Sequence, residues 1–244
     1  MDKHAELKTP VRGTVFEGVK TLRDWADRLA RGDVHWRVGH SARALALSWT
    51  EARGVPPEVS SALADFAGLT LVRALVEHPV SVGGVGGRSK TDIMAIARSG
   101  SGTVVMAVEG KGDSDNFGLP CGKWLRAGKF PRSHENRCRR LTCCANLLPQ
   151  LVSARALDEV PIQLVHRTAS AVLTARRESA SDAVLVVHAF LQQREDDDAH
   201  YAGFERFVQA FGVQPERNLR VALGSAGGVL VHAAWVDGDP KYLQ

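Results

Sequence analysis

Between His40 and Arg53 the small and apolar residues Ala44, Leu45, Leu47, Ser48 and Trp49 recur at helical spacing, and Gly54 supplies a stop. Pro56-Pro57 opens a second predicted helix. Leu63, Phe66, Ala67, Leu69, Val72, Leu75 and Val76 give it a broad apolar face that ends near Glu77-His78-Pro79. Then the period changes. Val80-Ser81-Val82 predicts a short strand and the glycine-rich stretch 83–87 a turn. Asp92–Ala97 (DIMAIA) and Thr103–Val108 (TVVMAV) are apolar runs of strand length, separated by the hairpin signal Ser99-Gly100-Ser101-Gly102. Further on, the pattern predicts a helix over Glu135–Leu148, a strand over Ile162–Val165, a helix over Arg167–Ser179 and a strand over Ala183–Phe190. A helix over Tyr201–Phe211 and strands over Leu219–Leu223 and Val229–Val236 complete the series. This order predicts an α/β chain of the α+β sandwich kind, a mixed central sheet flanked by helices, and neither a regular βαβ winding nor an all-β barrel. Residues 1–55 are expected to form a helical leader to a main domain over 56–244.

The hairpin brings chemistry together. With Gly100-Ser101 as a two-residue loop, Asp92 stands directly opposite Glu109, Cβ atoms roughly 4.5–5.5 Å apart. A four-residue loop centred there keeps the pairing and a three-residue loop breaks it. Two carboxylates that close repel unless a cation lies between them or one is protonated. Lys111, two residues beyond Glu109, projects from the same face. Such a group suits phosphodiester hydrolysis. Asp92 and Glu109 would bind Mg²⁺, for which Mn²⁺ can substitute, and the Gly110 carbonyl would add a ligand. The metal would polarise the phosphate and activate a water, while Lys111 would hold that water or offset charge developing on phosphorus.

Charge placement adds a partner. The formal net charge of the 244 residues is +4, but Lys123, Arg126, Lys129, Arg132, Arg137, Arg139 and Arg140 crowd into one stretch opposed only by Glu135. That stretch is expected either to bind a phosphate backbone, lining the cleft of the acids, or to be an ordinary solvated helix face. Trp124 within it could stack on a base or be buried. No apolar run approaches the ~20 residues of a membrane span, and residues 1–20 lack the apolar core of a secretory signal. A cytoplasmic protein is therefore expected, with Cys121, Cys138, Cys143 and Cys144 as reduced thiols; a zinc site from His134, Cys138 and Cys143 is the weaker reading. Residues 84–91 (GVGGRSKT) approach a phosphate-binding P-loop but place Ser89 where a glycine is needed before Lys90.

The Asp92 to Glu109-Gly110-Lys111 stretch, DIMAIARSGSGTVVMAVEGK, resembles the PD-(D/E)XK nuclease superfamily, and within it an uncharacterised bacterial group. Similar segments are Glu77-His78, VEGKGDSDNFG at 108–118, QLVHRTASAVLTA at 163–175, LVVHAF at 185–190 and AAWVDGD at 233–239. Thr91 stands where the name-giving proline would, and Gly110 where an apolar residue usually packs, so a bulge or a close approach is expected there. The resemblance implies a restriction-endonuclease-like core and Mg²⁺-dependent cleavage of nucleic acid, DNA before RNA. It makes Asp92 and Glu109 metal ligands and Lys111 the catalytic lysine. It also implies an acid from a preceding helix, for which Glu77 is the candidate and Glu58 or Asp65 the alternatives. A homodimer would bring two such sites to two strands. Asp113 and Asp115 are candidate peripheral ligands or solvated loop residues. His166 and Arg167 are read as phosphate contacts or a helix start, and His188 as a hydrogen-bonded core histidine. The competing reading is a binding or assembly module on the same fold, without catalysis.

Overall fold

The alternation of apolar residues sorts the central segments onto two faces of one sheet. The computed structural model describes residues 6–11, 15–29, 36–84, 87–113, 115–128, 130–153, 155–192 and 194–244. β1 (Thr70–Val80), β2 (Ser89–Ser99) and β3 (Gly102–Lys111) form an antiparallel meander. β4 (Asp182–Ala189) lies parallel to β3 and β6 (Val229–Asp237) parallel to β4, while β5 (Arg220–Ala226) pairs antiparallel with β6. Among the described residues this is one mixed six-stranded sheet of order β1-β2-β3-β4-β6-β5, flanked by helices: an α+β sandwich.

On one face, Met94, Ile96, Val105, Ala107, Leu185 and Val187 pack against α6 (Ile162–Arg177) and α7 (Arg194–Gln209). On the other, Ile93, Ala95, Met106, Val108, Val184 and Val186 meet α1 (Leu22–Ala26), α2 (Ser41–Ala52) and α3 (Pro57–Ala62). Every residue of β4 is buried, as a parallel strand covered on both faces must be. α4 (Cys121–Arg126) and α5 (Pro131–Ala145) follow the meander, and a 3-10 turn spans Pro240–Leu243. Among the described residues no helix is long and apolar enough to cross a membrane.

Three expectations needed correction: of the strand expected at Val80-Ser81-Val82 only Val80 is paired, as the last residue of β1. The second helix stops at Ala62; Leu63, Phe66, Ala67 and Leu69 lie in the turn that follows, and Val72, Leu75 and Val76 in β1. Gly68 takes a left-handed φ of 68° in the turn after the helix, and beyond it the β-branched Thr70 and Val72 are exposed on either side of the buried Leu71, the alternation a strand requires. The strand expected at Ile162–Val165 is instead the first turn of α6, entered directly after Pro161. Leu164, Val165, Thr168, Ala169, Ala171, Val172 and Ala175 are buried at helical spacing along it, and three apolar residues among four cannot by themselves separate the two periods. The hairpin register is as expected, from Ser99 opposite Gly102 to Ile93 opposite Val108.

The end of β3 is pinned by α2. A Cβ built on Gly110 would lie 2.5 Å from Leu45 Cδ1 and 2.9 Å from both Leu45 Cγ and Ser41 Cβ. Glycine here marks a close approach of helix to strand, one of the two expected alternatives. His40, the residue before α2, offers no side-chain cap. Asp115 does so from the loop beyond β3, its Oδ2 accepting from the Ser41 and Gly112 amides at 2.9 Å each. Gly110→Ala should therefore lower unfolding stability by about 1–3 kcal/mol, read as a fall in the urea midpoint. Combined with Leu45→Ala it should lose less than the sum of the two single changes; additive losses would contradict the close approach.

Candidate active site

The register sets three acids on one rung. Val76 opposite Ile93 and His78 opposite Thr91 bracket Glu77 and Asp92; on the other side, Ile93 opposite Val108 leads to Asp92 and Glu109. Glu77, Asp92 and Glu109 thus lie across β1, β2 and β3, at the end of the sheet where Lys111 also projects. Glu77 is a strand residue rather than a helix acid. Its φ of 53° is left-handed, a conformation that costs an L-residue roughly 1–2 kcal/mol and interrupts pairing.

Cations converge on this rung. Lys111 Nζ stands 2.7 Å from Glu109 Oε1 and Arg167 Nε 2.5 Å from Glu109 Oε2. Arg167 also donates to Ser89 Oγ at 3.0 Å, and its Nη2 lies 3.9 Å from Asp92 Oδ1. The Gln163 amide, with its nitrogen turned toward the site, donates to Glu109 Oε1 and the Asn116 carbonyl, each at 3.2 Å. Asp92 Oδ2 accepts from the Gly110 amide at 2.9 Å. Lys90 Nζ is 3.9 Å from Glu77, and Lys111 Nζ sits 4.5 Å above the Phe117 ring.

These contacts divide the acids electrostatically. Burial would raise the Glu109 carboxyl, but Arg167 and Lys111 outweigh it and hold Glu109 below the usual range. Asp92 is raised well above it, by burial and then by Glu109, against the weaker pull of Arg167. Burial also pushes Glu77 up to about 7, opposed by Lys90 and Arg167. Glu109 is nearly sealed, whereas Asp92 keeps 25% of its side-chain surface exposed. A half-open carboxyl that resists ionisation beside an ionised one is a place where a cation would replace a proton.

The three acids and Lys111 line a cleft of about 440 Å³ between the N-terminus of α2 and α6. His40, Ser41, Lys90, Asp115, Asn116, Gln163 and Arg167 also line it, with Leu29, Ala42 and Gly110. Among the described residues no group of three or more His, Cys, Asp or Glu side chains is close enough to share a metal ion. A cation here would lean on two carboxylates, a carbonyl and water, as Mg²⁺ commonly does.

The basic stretch does not line this cleft, contrary to expectation. Arg132, Arg137 and Arg140 instead line a separate cavity with Trp124 and Phe130. Lys123 and Arg126 are exposed, Arg139 pairs with Glu135 at 2.6 Å on the surface of α5, and Lys129 lies outside the described residues. The alternative acids are engaged elsewhere: Glu58 with His188 at 3.1 Å and Asp65 with Arg220 at 2.7 Å. His188 is fully buried; its Nδ1 accepts from Trp49 and its Nε2 donates to Glu58, the hydrogen-bonded core histidine expected. Asp113 accepts from the Gln192 amide, so Asp113 and Asp115 tie loops. His166 packs edge-on against Trp124 at 5.7 Å, and burial with Arg140 and Arg167 nearby holds it down to about 3. Lys90 and Thr91 lie in β2, so the helix that a P-loop feeds is replaced by a strand. The cysteines are free thiols, and burial pushes Cys121 and Cys144 up to about 12.

Arg167 and Gln163 are the site residues that sequence reasoning undervalued. They stand four apart, so one helical face presents both to Glu109. That signal exists in the sequence but is lost when Ile162–Val165 is read as a strand.

A protein-family model described as Domain of unknown function (DUF6946) matches residues 18–240. No curated protein and no solved structure matches the chain.

The raised Glu77 carboxyl has a readable consequence. Below about 4.5, its ordinary value, Glu77 is protonated whether folded or unfolded; between there and about 7 only the folded chain keeps the proton. Stability from this group therefore falls as pH rises through that window. With a chelator present, Glu77→Gln should gain on the wild type across it by on the order of 2 kcal/mol. A pH-independent difference in urea unfolding would contradict the assignment.

Proposed function

We propose that this chain, which belongs to the DUF6946 family, is a divalent-metal-dependent nuclease of the PD-(D/E)XK kind, hydrolysing phosphodiester bonds in DNA. The observation that carries the reading is the single rung of Glu77, Asp92 and Glu109 with Lys111 on the same face of the sheet, opening into a polar cleft. The sequence resemblance supports it, and so does the order of elements: a three-strand meander, helices, then a strand parallel to β3. The donor set fits Mg²⁺, a hard cation that takes one or two carboxylates and keeps several waters. Asp92, Glu109 and the Gly110 carbonyl would hold it. When bound, the metal supplies Lewis-acid polarisation of the phosphate and a water of lowered pKa.

The chain's own groups do the rest. Lys111, fixed by Glu109 and the Phe117 face, places an ammonium where it can orient the attacking water or offset charge on the phosphorus oxygens. Arg167 bridges toward both Asp92 and Glu109 and is buried among them. A cation on the acids would leave its guanidinium free to take a phosphate oxygen, for which its fork is well shaped. Water adds to phosphorus and loses a proton, one phosphorus–oxygen bond to sugar breaks, and the leaving sugar oxygen takes up a proton, giving a phosphate monoester and a free hydroxyl.

A second reading has its own observation. Glu109 already receives Lys111, Arg167 and Gln163, and such a saturated acid suits a scaffold role. The fold would then bind nucleic acid without cutting it.

Two variants separate the readings. Asp92→Asn and Lys111→Ala should each reduce Mg²⁺- or Mn²⁺-dependent cleavage of plasmid DNA by about 10³-fold or more while leaving DNA binding within a few-fold. Mn²⁺ should raise the melting temperature of the wild type and not of Asp92→Asn. DNA binding with no cleavage under either metal, and no metal-dependent rise in melting, would favour the scaffold reading.

A further inference from the structure

The cavity beside α4 and α5 is outside the cleft of the acids, yet its lining is selective. It holds about 600 Å³ and is lined by Trp124, Phe130, Arg132, Asn136, Arg137 and Arg140. That lies within the about 300–1,000 Å³ typical of small-molecule sites, more than a lone phosphate needs. Among the described residues that line it there are three arginines and no carboxylate. Phe130 is 71% exposed at its mouth. The Arg137 guanidinium lies over the Trp124 ring at 5.1 Å and donates to the Trp124 backbone carbonyl, so its planar fork is held in place. Flat apolar surface and flat cation together are what a nucleobase stacks on, and arginines with no carboxylate in the same lining are what its phosphates seek.

The cavity also adjoins the cleft through two links. Trp124 meets His166 edge-on, and the next residue of α6, Arg167, bonds Glu109. Arg140 donates to the Gly87 carbonyl, in the loop that leads into β2, Lys90 and Asp92.

We infer that this cavity receives an unpaired base of the nucleic acid, stacked among Phe130, Trp124 and Arg137, with flanking phosphates on Arg132 and Arg140. The inference rests on the nuclease reading for its ligand class. Bases inside a duplex are stacked and cannot enter, so the substrate is single-stranded or carries a splayed-out nucleotide.

The test is fluorescence anisotropy on the full chain with a chelator present, so that nothing is cut. The probes are a thymidine strand of about 12 nucleotides, its abasic counterpart and the matching duplex. The wild type should bind the thymidine strand about tenfold tighter than the abasic one and tighter than the duplex. Phe130→Ala, at an exposed position, should erase that difference without changing abasic binding or the melting temperature. Arg132→Ala should weaken both strands and flatten the salt dependence. Equal affinity for base-bearing and abasic strands, preference for duplex, an inert Phe130→Ala, or binding of polyglutamate in place of nucleic acid would each overturn the inference. Cleavage is scored separately with Mg²⁺. Base-dependent binding without cleavage removes the hydrolytic reading and leaves the pocket; duplex cleavage unaffected by Phe130→Ala, with no base-dependent binding, does the reverse.

Discussion

Three carboxylates on adjacent strands of one rung repel each other, and the partly dry end of a sheet makes that repulsion worse. The rest of this region answers the constraint. Glu109 is sealed and ionised because Arg167 and Lys111 neutralise it. Asp92 and Glu77 have more distant cations, at 3.9 Å each, and burial holds their protons on. The result is a site divided into a saturated acid and an acid held back from ionisation. That division would let a cation enter without stripping every existing contact, because Asp92 would give up a proton where Glu109 would give up an ion pair.

The sandwich holds this arrangement rigid from both sides. On one face α6 delivers Gln163 and Arg167 from consecutive turns, with Ala169 and Val172 buried in the apolar core that the helix shares with the sheet. On the other, α2 approaches β3 so closely that only glycine fits at 110, and Asp115 caps that helix from the loop that follows the site. The left-handed backbone at Glu77 is the strained element, placed where β1 meets the rung.

Much of this was legible in the sequence because strand pairing obeys a period of two. The Ser-Gly-Ser-Gly turn fixed the β2–β3 register, and with it the approach of Asp92, Glu109 and Lys111. Gly110 was legible as an anomaly but not as a choice between bulge and close approach; that depends on Leu45, sixty-five residues earlier. Glu77 was proposed for the site on the wrong element, since an apolar stretch around Leu71, Leu75 and Val76 satisfies helix and strand patterns alike. Arg167 was underweighted for the same reason, as the short apolar run before it concealed the start of α6. The basic residues between 123 and 140 were grouped by sequence proximity, whereas helical geometry turns Arg139 outward to Glu135 and Arg132, Arg137 and Arg140 toward Trp124.

The central claim is that the rung of acids is a cation site. Anomalous diffraction from a crystal soaked in Mn²⁺ tests it most directly. The account predicts one strong peak bound by Asp92 and Glu109, with the Arg167 guanidinium drawn away from both. Full Mn²⁺ saturation with no density there, and with Glu109 still clasped by Lys111 and Arg167, would contradict it.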